Sequence, residues 1–137
     1  MKATTETLQT PEKKENENLV KISARTNVKG VIRYIVELFK TKNFDFVQIS
    51  GLNQAISHVV LVAEVVKTQV LGLHQVNTID CLILNSTENT GGKEEYIRRT
   101  PKLEIILSKN EPKVKTSGYQ KPYSESEIKN ILCKFIF

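Results

Sequence analysis

The segment from Gly51 to Gln75 constrains the fold most, because it is apolar almost all the way round a helix and holds six valines between Val59 and Val70. Valine favours strands, but the run continues without turn residues well beyond the usual 4–8 of a strand, so it reads as a helix ended by Gly72 at the C-cap. Ile56, Val59, Val60 and Ala63 are assigned to the helix's own sheet. That leaves Leu61, Val62, Val65 and Val66 spread round the circumference, more than one sheet face can bury, and these four are expected to lie against a second subunit. The run is too short and too polar at its ends for a membrane span, which needs about 18 or more consecutive apolar residues. Residues Met1–Asn18, rich in Thr, Glu, Lys and Asn, lack the apolar core of a secretory signal. The expectation is a soluble intracellular protein with a disordered leader over 1–18.

The remaining elements fall into order around that helix. Leu19–Ser23 reads as a short strand. Asn27 is placed to cap a helix in which Val28, Val31, Ile32, Ile35, Leu38 and Phe39 recur at three- and four-residue spacing, while Lys29, Arg33 and Glu37 share the opposite face. Asn43 ends that helix, and Phe44–Ile49 reads as a second strand. Val76–Asn85 gives a third, and Lys102–Ser108 a fourth, with Leu103, Ile105 and Leu107 on one face and Glu104, Ile106 and Ser108 on the other. The order β-α-β-α-β-β predicts an α/β two-layer sandwich, a four-stranded sheet with both helices on one face, over residues 19–110. Ser86–Pro101 is too long for an ordinary hairpin connection and is expected to be a mobile functional loop. In the extension 111–137, Ser124 and Glu127 form a capping box ahead of Ile128, Ile131, Leu132 and Phe135, predicting a short amphipathic helix.

Charge and side-chain chemistry point to binding. The net charge is +5, and the sharpest excess lies in Leu19–Lys42, where Lys21, Arg25, Lys29, Arg33, Lys40 and Lys42 face only Glu37. Such an excess is the footprint of a polyanion partner, although a solvated face has the same composition. Asn53, Gln54 and Ser57, at the start of the second helix, can bond phosphate or sugar, and free backbone N–H groups there favour anions; Asn53 serves equally as a plain cap. Lys93, Tyr96, Arg98 and Arg99 could form an arm that follows a groove with Tyr96 stacked on a base, or a solvated loop balanced by Glu88, Glu94 and Glu95. His58 and His74 have no nearby carboxylate or nucleophile in sequence, and Cys81 and Cys133 sit in no ligand spacing and read as buried thiols. With no phosphate loop, dinucleotide fingerprint or nucleophile elbow, no enzymatic activity, cofactor or metal is expected.

Taken together, Ile22–Arg25 with the helix after it, Gln54-Ala55-Ile56, Val62-Ala63-Glu64-Val65-Val66, Gly72-Leu73-His74-Gln75, the strand Leu103–Ser108 and Gly118-Tyr119-Gln120-Lys121-Pro122 resemble the eukaryotic branch of the Alba family, over about Leu19 to Tyr123. The resemblance implies a compact dimeric domain that binds DNA or RNA with little sequence preference, in the nucleus and/or cytoplasm. It also implies a binding surface built from the start of the first helix, the turn before the second and an extended hairpin. Three positions depart from the family pattern: Arg25 is followed by Thr26 where a second basic residue is usual, the turn reads Asn53-Gln54-Ala55 without its arginine, and His58 replaces a basic residue. Each lost cation removes a phosphate contact and flattens the salt dependence of binding. A homodimer is the simpler expectation, and a heterodimer with a more basic Alba-like paralogue would restore the missing charge. The functional expectation is therefore RNA and/or DNA binding in ribonucleoprotein or chromatin organisation. The alternative is a protein-interaction subunit that completes a heterodimer in an RNA-processing ribonucleoprotein of the ribonuclease P/MRP kind.

Overall fold

The computed structural model describes residues 17–86 and 96–135, with side chains over 17–83 and 99–132. Strand β1 (Leu19–Ile22) leads through helix α1 (Val28–Lys40) to β2 (Phe46–Leu52), and a 3₁₀ turn (Asn53–Ala55) leads into helix α2 (Ile56–Gln69). Strands β3 (His74–Ser86), β4 (Tyr96–Ser108) and β5 (Tyr119–Gln120) follow, then helix α3 (Glu125–Phe135). The sheet order is β1-β2-β4-β3-β5, with β1 and β2 parallel and the other pairs antiparallel. A parallel pair requires a crossover, which α1 supplies. The α/β sandwich predicted from the sequence is present, with a five-stranded rather than four-stranded sheet.

Local chemistry sets the element ends. Asn27 occupies the N-cap of α1 but makes no side-chain bond there. The turn before the helix is held instead by Ser23 and Thr26: the Ser23 N–H donates to Thr26 Oγ1 at 2.8 Å and the Thr26 N–H to the Ser23 carbonyl at 3.1 Å. At the other end, Asn43 takes φ 60° while the Lys42 and Phe44 N–H groups close back on Glu37 and Leu38. Helix α2 ends at Gln69, three residues before Gly72, whose φ of +79° belongs to the turn into β3. Asn53, at φ 52°, does not cap α2; it starts the 3₁₀ turn. Gly51 marks the closest approach of β2 to α2, since a Cβ there would lie 2.6 Å from Val59 Cγ2.

Ile35, Leu38 and Phe39 of α1, Val47 and Ile49 of β2 and Leu103, Ile105 and Leu107 of β4 join one core cluster with α2. Helix α2 enters it with Val59, Val62, Ala63 and Val66, a three- and four-residue stripe. This corrects the expected phase by roughly 60° of helix rotation, with Val59 and Ala63 common to both faces. Val62 and Val66 are fully buried within the chain and cannot face a second subunit, Val65 is half-buried, and Leu61 and Val60 are exposed. Because apolar residues ring the helix, its own periodicity does not select the buried side.

Strands β3 and β4 pair along their whole length, from His74↔Ser108 to Ser86↔Tyr96. At about 3.4 Å per residue this ladder is roughly 40 Å long, longer than the helices that cover it. Strand alternation puts Gln75, Asn77, Ile79, Cys81 and Ile83 on one side; Gln75 is buried, whereas Ile79 is 81% and Ile83 65% exposed. The ladder therefore overhangs the helical layer, and Cys81 is an exposed thiol, not a buried one. The side chain of Cys133 lies outside the described residues. The expected loop Ser86–Pro101 is also corrected: Ser86 and Tyr96–Pro101 belong to paired strands, and residues 87–95 lie outside the described residues.

At the amino end, Asn18, expected in the leader, is buried, and its side-chain amide donates to the Phe46 carbonyl at 3.3 Å. Residues 1–16 lie outside the described residues. The carboxyl-terminal segment returns to the sheet as β5, pairing with Gln75 and Val76. Gly118 permits that approach, because a Cβ would collide with the Asn77 carbonyl. His74 Nδ1 and the Tyr119 hydroxyl lie 2.9 Å apart with their rings stacked, so His74 packs against the returning segment. Beyond β5, Tyr123 donates to Glu64 Oε2 at 2.6 Å, and the Lys67 ammonium, 2% exposed, sits 3.4 Å from Glu64 Oε1 and 4.2 Å from the Tyr123 ring centroid. Burial pushes the Lys67 pKa down and Glu64 partly restores it. The capping box also forms: Ser124 N–H donates to Glu127 Oε1 and Glu127 N–H to Ser124 Oγ.

Two predictions follow from this packing. Val62→Glu places a carboxylate in the core and should cost several kcal/mol, most of a small domain's stability, while Val60→Glu at an exposed position should leave the domain folded; thermal unfolding of both variants checks this. For Tyr123, burial first and the Glu64 hydrogen bond second raise the phenol to about 12 from 10.0. Its folded form holds the proton longer than the unfolded chain, so its contribution is full below pH 10 and is lost as pH rises towards 12. The stability difference between wild type and Tyr123→Phe, from urea unfolding, should be constant below pH 10 and shrink above it.

Candidate nucleic-acid interface

The turn Ser23–Thr26 projects Arg25 into solvent at the carboxyl end of β1. A depression of about 650 Å³ opens beside it, lined by Ala24, Leu52, Asn53, Gln54, Ala55, Arg99, Thr100 and Pro101. The fold thus brings together the residue next to Arg25, the turn before α2 and one cation of β4, which are far apart in sequence. Asn53 and Gln54 are exposed. Ser57, in the first turn of α2, donates its hydroxyl to the Gln54 carbonyl at 3.3 Å, which steadies the turn.

Lys29 and Arg33 stand elsewhere. With Ile32, Val36, Val65 and Gln69 they line a separate depression of about 350 Å³ between α1 and α2. Lys21 lies on β1, paired with Ser50 of β2, and lines a third pocket of about 430 Å³. The candidates therefore separate into an Asn53/Gln54/Arg99 group, with Arg25 next in the chain to Ala24 of its lining and Lys21 in the adjoining pocket, and a Lys29/Arg33 group. Tyr96 and Arg98 lie in β4 opposite Ser86 and Leu84, with their side chains outside the described residues, and Lys93 lies outside them altogether.

Ion pairing leaves the candidate cations with described side chains free of a carboxylate, as it also leaves Lys40, Lys109, Lys113, Lys121 and Lys129 among the described residues. Lys42, Lys67, Lys102 and Lys115 each have a carboxylate partner, whereas Lys21, Arg25, Lys29, Arg33 and Arg99 have none among the described residues. Unpaired exposed cations keep their full field for an anion. The ring nitrogen Nδ1 of His58 is buried without a hydrogen-bond partner among the described residues, so it adds no donor to the surface. Among the described residues no cluster of His, Cys, Asp or Glu could hold a metal ion, and no helix is long and apolar enough to cross a membrane.

Lys102 was missed as a candidate by sequence reasoning. It lines the same pocket as Lys21 and pairs with Glu104 at 2.9 Å. The alternation of β4, which puts Lys102 and Glu104 opposite the Leu103 face, carried the signal.

Comparison with known proteins gives the same architecture. The Alba family model matches residues 18–83. The DNA/RNA-binding protein ALBA2 of Plasmodium falciparum (isolate 3D7) is 30% identical, over 82% of this chain and 71% of that protein. The DNA/RNA-binding protein ALBA1 of the same organism is 22% identical over 85% of this chain, which spans about half of it (48%). Among solved structures, Alba from Thermoplasma volcanium superposes with TM-score 0.54 at 18% identity, covering 66% of this chain and 99% of that one. ALBA1 from Trypanosoma brucei gives 0.51 at 18% identity, covering 86% and 81%. With the sandwich, its β1-α1-β2 crossover and a relative this similar over most of both lengths, the chain belongs to the Alba family.

Proposed function

We propose that the protein binds RNA or DNA with little sequence preference, through phosphate contacts made by Arg25, Asn53, Gln54 and Arg99, and acts in ribonucleoprotein or chromatin organisation. The observation that carries this reading is the depression in which Arg99 meets the exposed turn before α2 and Ala24, with exposed Arg25 next in the chain and neither arginine paired with a described carboxylate. The names of the two Plasmodium relatives as DNA/RNA-binding proteins support it. Phosphate contacts position a nucleic acid without reading its sequence, which suits a surface made of arginine and amide side chains. Lys29 and Arg33, one depression away, extend the basic surface along α1.

A dimer completes the reading. Val60 and Ile79 line a depression of about 410 Å³ between α2 and β3, and Ile83 continues the exposed apolar row along the overhanging ladder. An apolar patch of this kind on a polar chain commonly marks an interface. It replaces the surface expected from Leu61, Val62, Val65 and Val66, of which two are core. A second copy would double the cations facing one ligand; a more basic paralogue would do so further, and the uncharged Asn53-Gln54-Ala55 turn favours that heterodimer.

Two measurements test these points. Arg25→Ala with Arg99→Ala should lower the slope of log affinity against log salt by about 2 on duplex DNA, at roughly 0.9 per phosphate contact, and by more than Lys29→Ala with Arg33→Ala does. An unchanged slope would remove this surface from the binding site. In sedimentation at micromolar concentration, wild type should be dimeric and the folded double variant Val60→Glu, Ile79→Glu monomeric; a monomeric wild type would overturn the interface.

A further inference from the structure

We infer that the pocket at the carboxyl ends of β1 and β2 takes an unpaired nucleobase, so that the ligand engaged at this surface is a single-stranded nucleic acid in preference to a duplex. The inference rests on the phosphate-binding reading above. In open α/β sheets the crevice beyond the carboxyl ends of parallel strands is where ligands are received, because the chain leaves the sheet there and its backbone groups lose their ladder partners. Here β1 and β2 are the parallel pair, and both end at this pocket.

Its size and lining suit a flat, mostly apolar group. The volume is about 430 Å³, within the range of small-molecule sites, and Ile22, Leu52, Ala55 and Leu82 give it an apolar wall. The polar side chains are few: the Ser23 hydroxyl, which already lies 3.0 Å from Thr26 Oγ1, the Ser50 hydroxyl, and the ammonium groups of Lys21 and Lys102. Lys102 is committed to Glu104 at 2.9 Å, whereas Lys21 is exposed and has no ion pair with a described residue. A base offers apolar faces and a hydrogen-bonding edge, and brings a phosphate with it; an apolar wall with a hydroxyl and one free cation matches that combination.

Continuity fixes the occupant. The pocket shares Ala24, Leu52 and Ala55 with the depression that holds Asn53, Gln54 and Arg99. A strand whose phosphates lie on Arg99 and the turn before α2 passes this shared wall and can drop one base into the pocket. Paired bases cannot enter without being flipped out of the stack, which costs unstacking energy that a single strand does not spend.

The test compares a mixed-sequence single-stranded RNA with its perfect duplex of equal length, at one salt concentration, on the full chain. Wild type should bind the single strand at least about tenfold tighter, and Ser50→Leu, which fills the pocket, should bring single-strand affinity down to the duplex level while duplex affinity stays unchanged. A 2-aminopurine placed in the single strand should brighten on binding to wild type, as an unstacked base does, and stay quenched with Leu82→Ser, which keeps the chain testable if Ser50→Leu does not fold. Equal affinity for the two polymers, or a Ser50→Leu protein that keeps the preference, overturns this inference alone. Failure to bind either polymer overturns the phosphate-binding reading beneath it.

Discussion

The seating of α2 on the central strands β2 and β4 is the contact on which the rest of the molecule depends. Val59, Val62, Ala63 and Val66 are all fully buried there, against Val47, Ile49, Ile105 and Leu107. Close packing of small branched side chains leaves little room to rotate the helix. Gly51 narrows the tolerance further, since β2 passes so near Val59 that no side chain fits between them. Once that face is fixed, each other side of α2 has a determined task. The side carrying Lys67 and Glu64 receives the carboxyl-terminal segment, the side carrying Val65 closes on α1, and Val60 is left in solvent above β3.

How far this was legible depended on whether local pattern and long-range packing carried the same information. The alternation Leu103, Ile105, Leu107 has one solution, and those residues are the buried face of β4. The capping box Ser124–Glu127 is a contact within three residues, and it forms as read. Helix α2 is the opposite case: its existence was evident from length, but apolar residues all round gave its phase no local determinant, so Val62 and Val66 were assigned outward when the sheet takes them inward. Strand β5 was invisible because two residues have no period; it exists only because Gly118 lets the chain reach Asn77. Cys81 and Ile83 have the pattern of a buried strand face and are exposed where β3 runs beyond the helices, whereas Ile79 is exposed beside Val60 of α2.

The same distinction governs the candidate surface. Arg25, Lys29 and Arg33 lie close in sequence and were read as one cluster. The Ser23–Thr26 turn leaves Arg25 exposed just beyond β1, while the helical periodicity of α1 carries Lys29 and Arg33 round to the groove against α2. Arg99, expected on a mobile arm, is instead held at a fixed register opposite Ile83. A cation on a paired strand loses less conformational entropy on binding than one on a free loop. That rigidity partly offsets the cations missing from the Asn53-Gln54-Ala55 turn, because fewer contacts can suffice when their geometry is already set.

The carboxyl-terminal segment and the basic surface occupy opposite ends of β3. Strand β5 pairs at Gln75 and Val76, near the start of β3, whereas Arg99 lies opposite Ile83, towards its far end. A segment docked at Gln75 closes part of an edge strand that would otherwise offer unpaired N–H and C=O groups to another chain. It does so at the end of β3 away from Arg99. The Lys67–Glu64–Tyr123 contact fastens it to α2, and Ile131 and Leu132 of α3 share a depression with Leu61 and Val65 of that helix. One short helix therefore separates three surfaces, a sealed edge, an apolar row at Val60 and Ile79 and a basic groove with α1, so that a partner subunit and a polyanion can be engaged together without displacing the segment that holds the sheet closed.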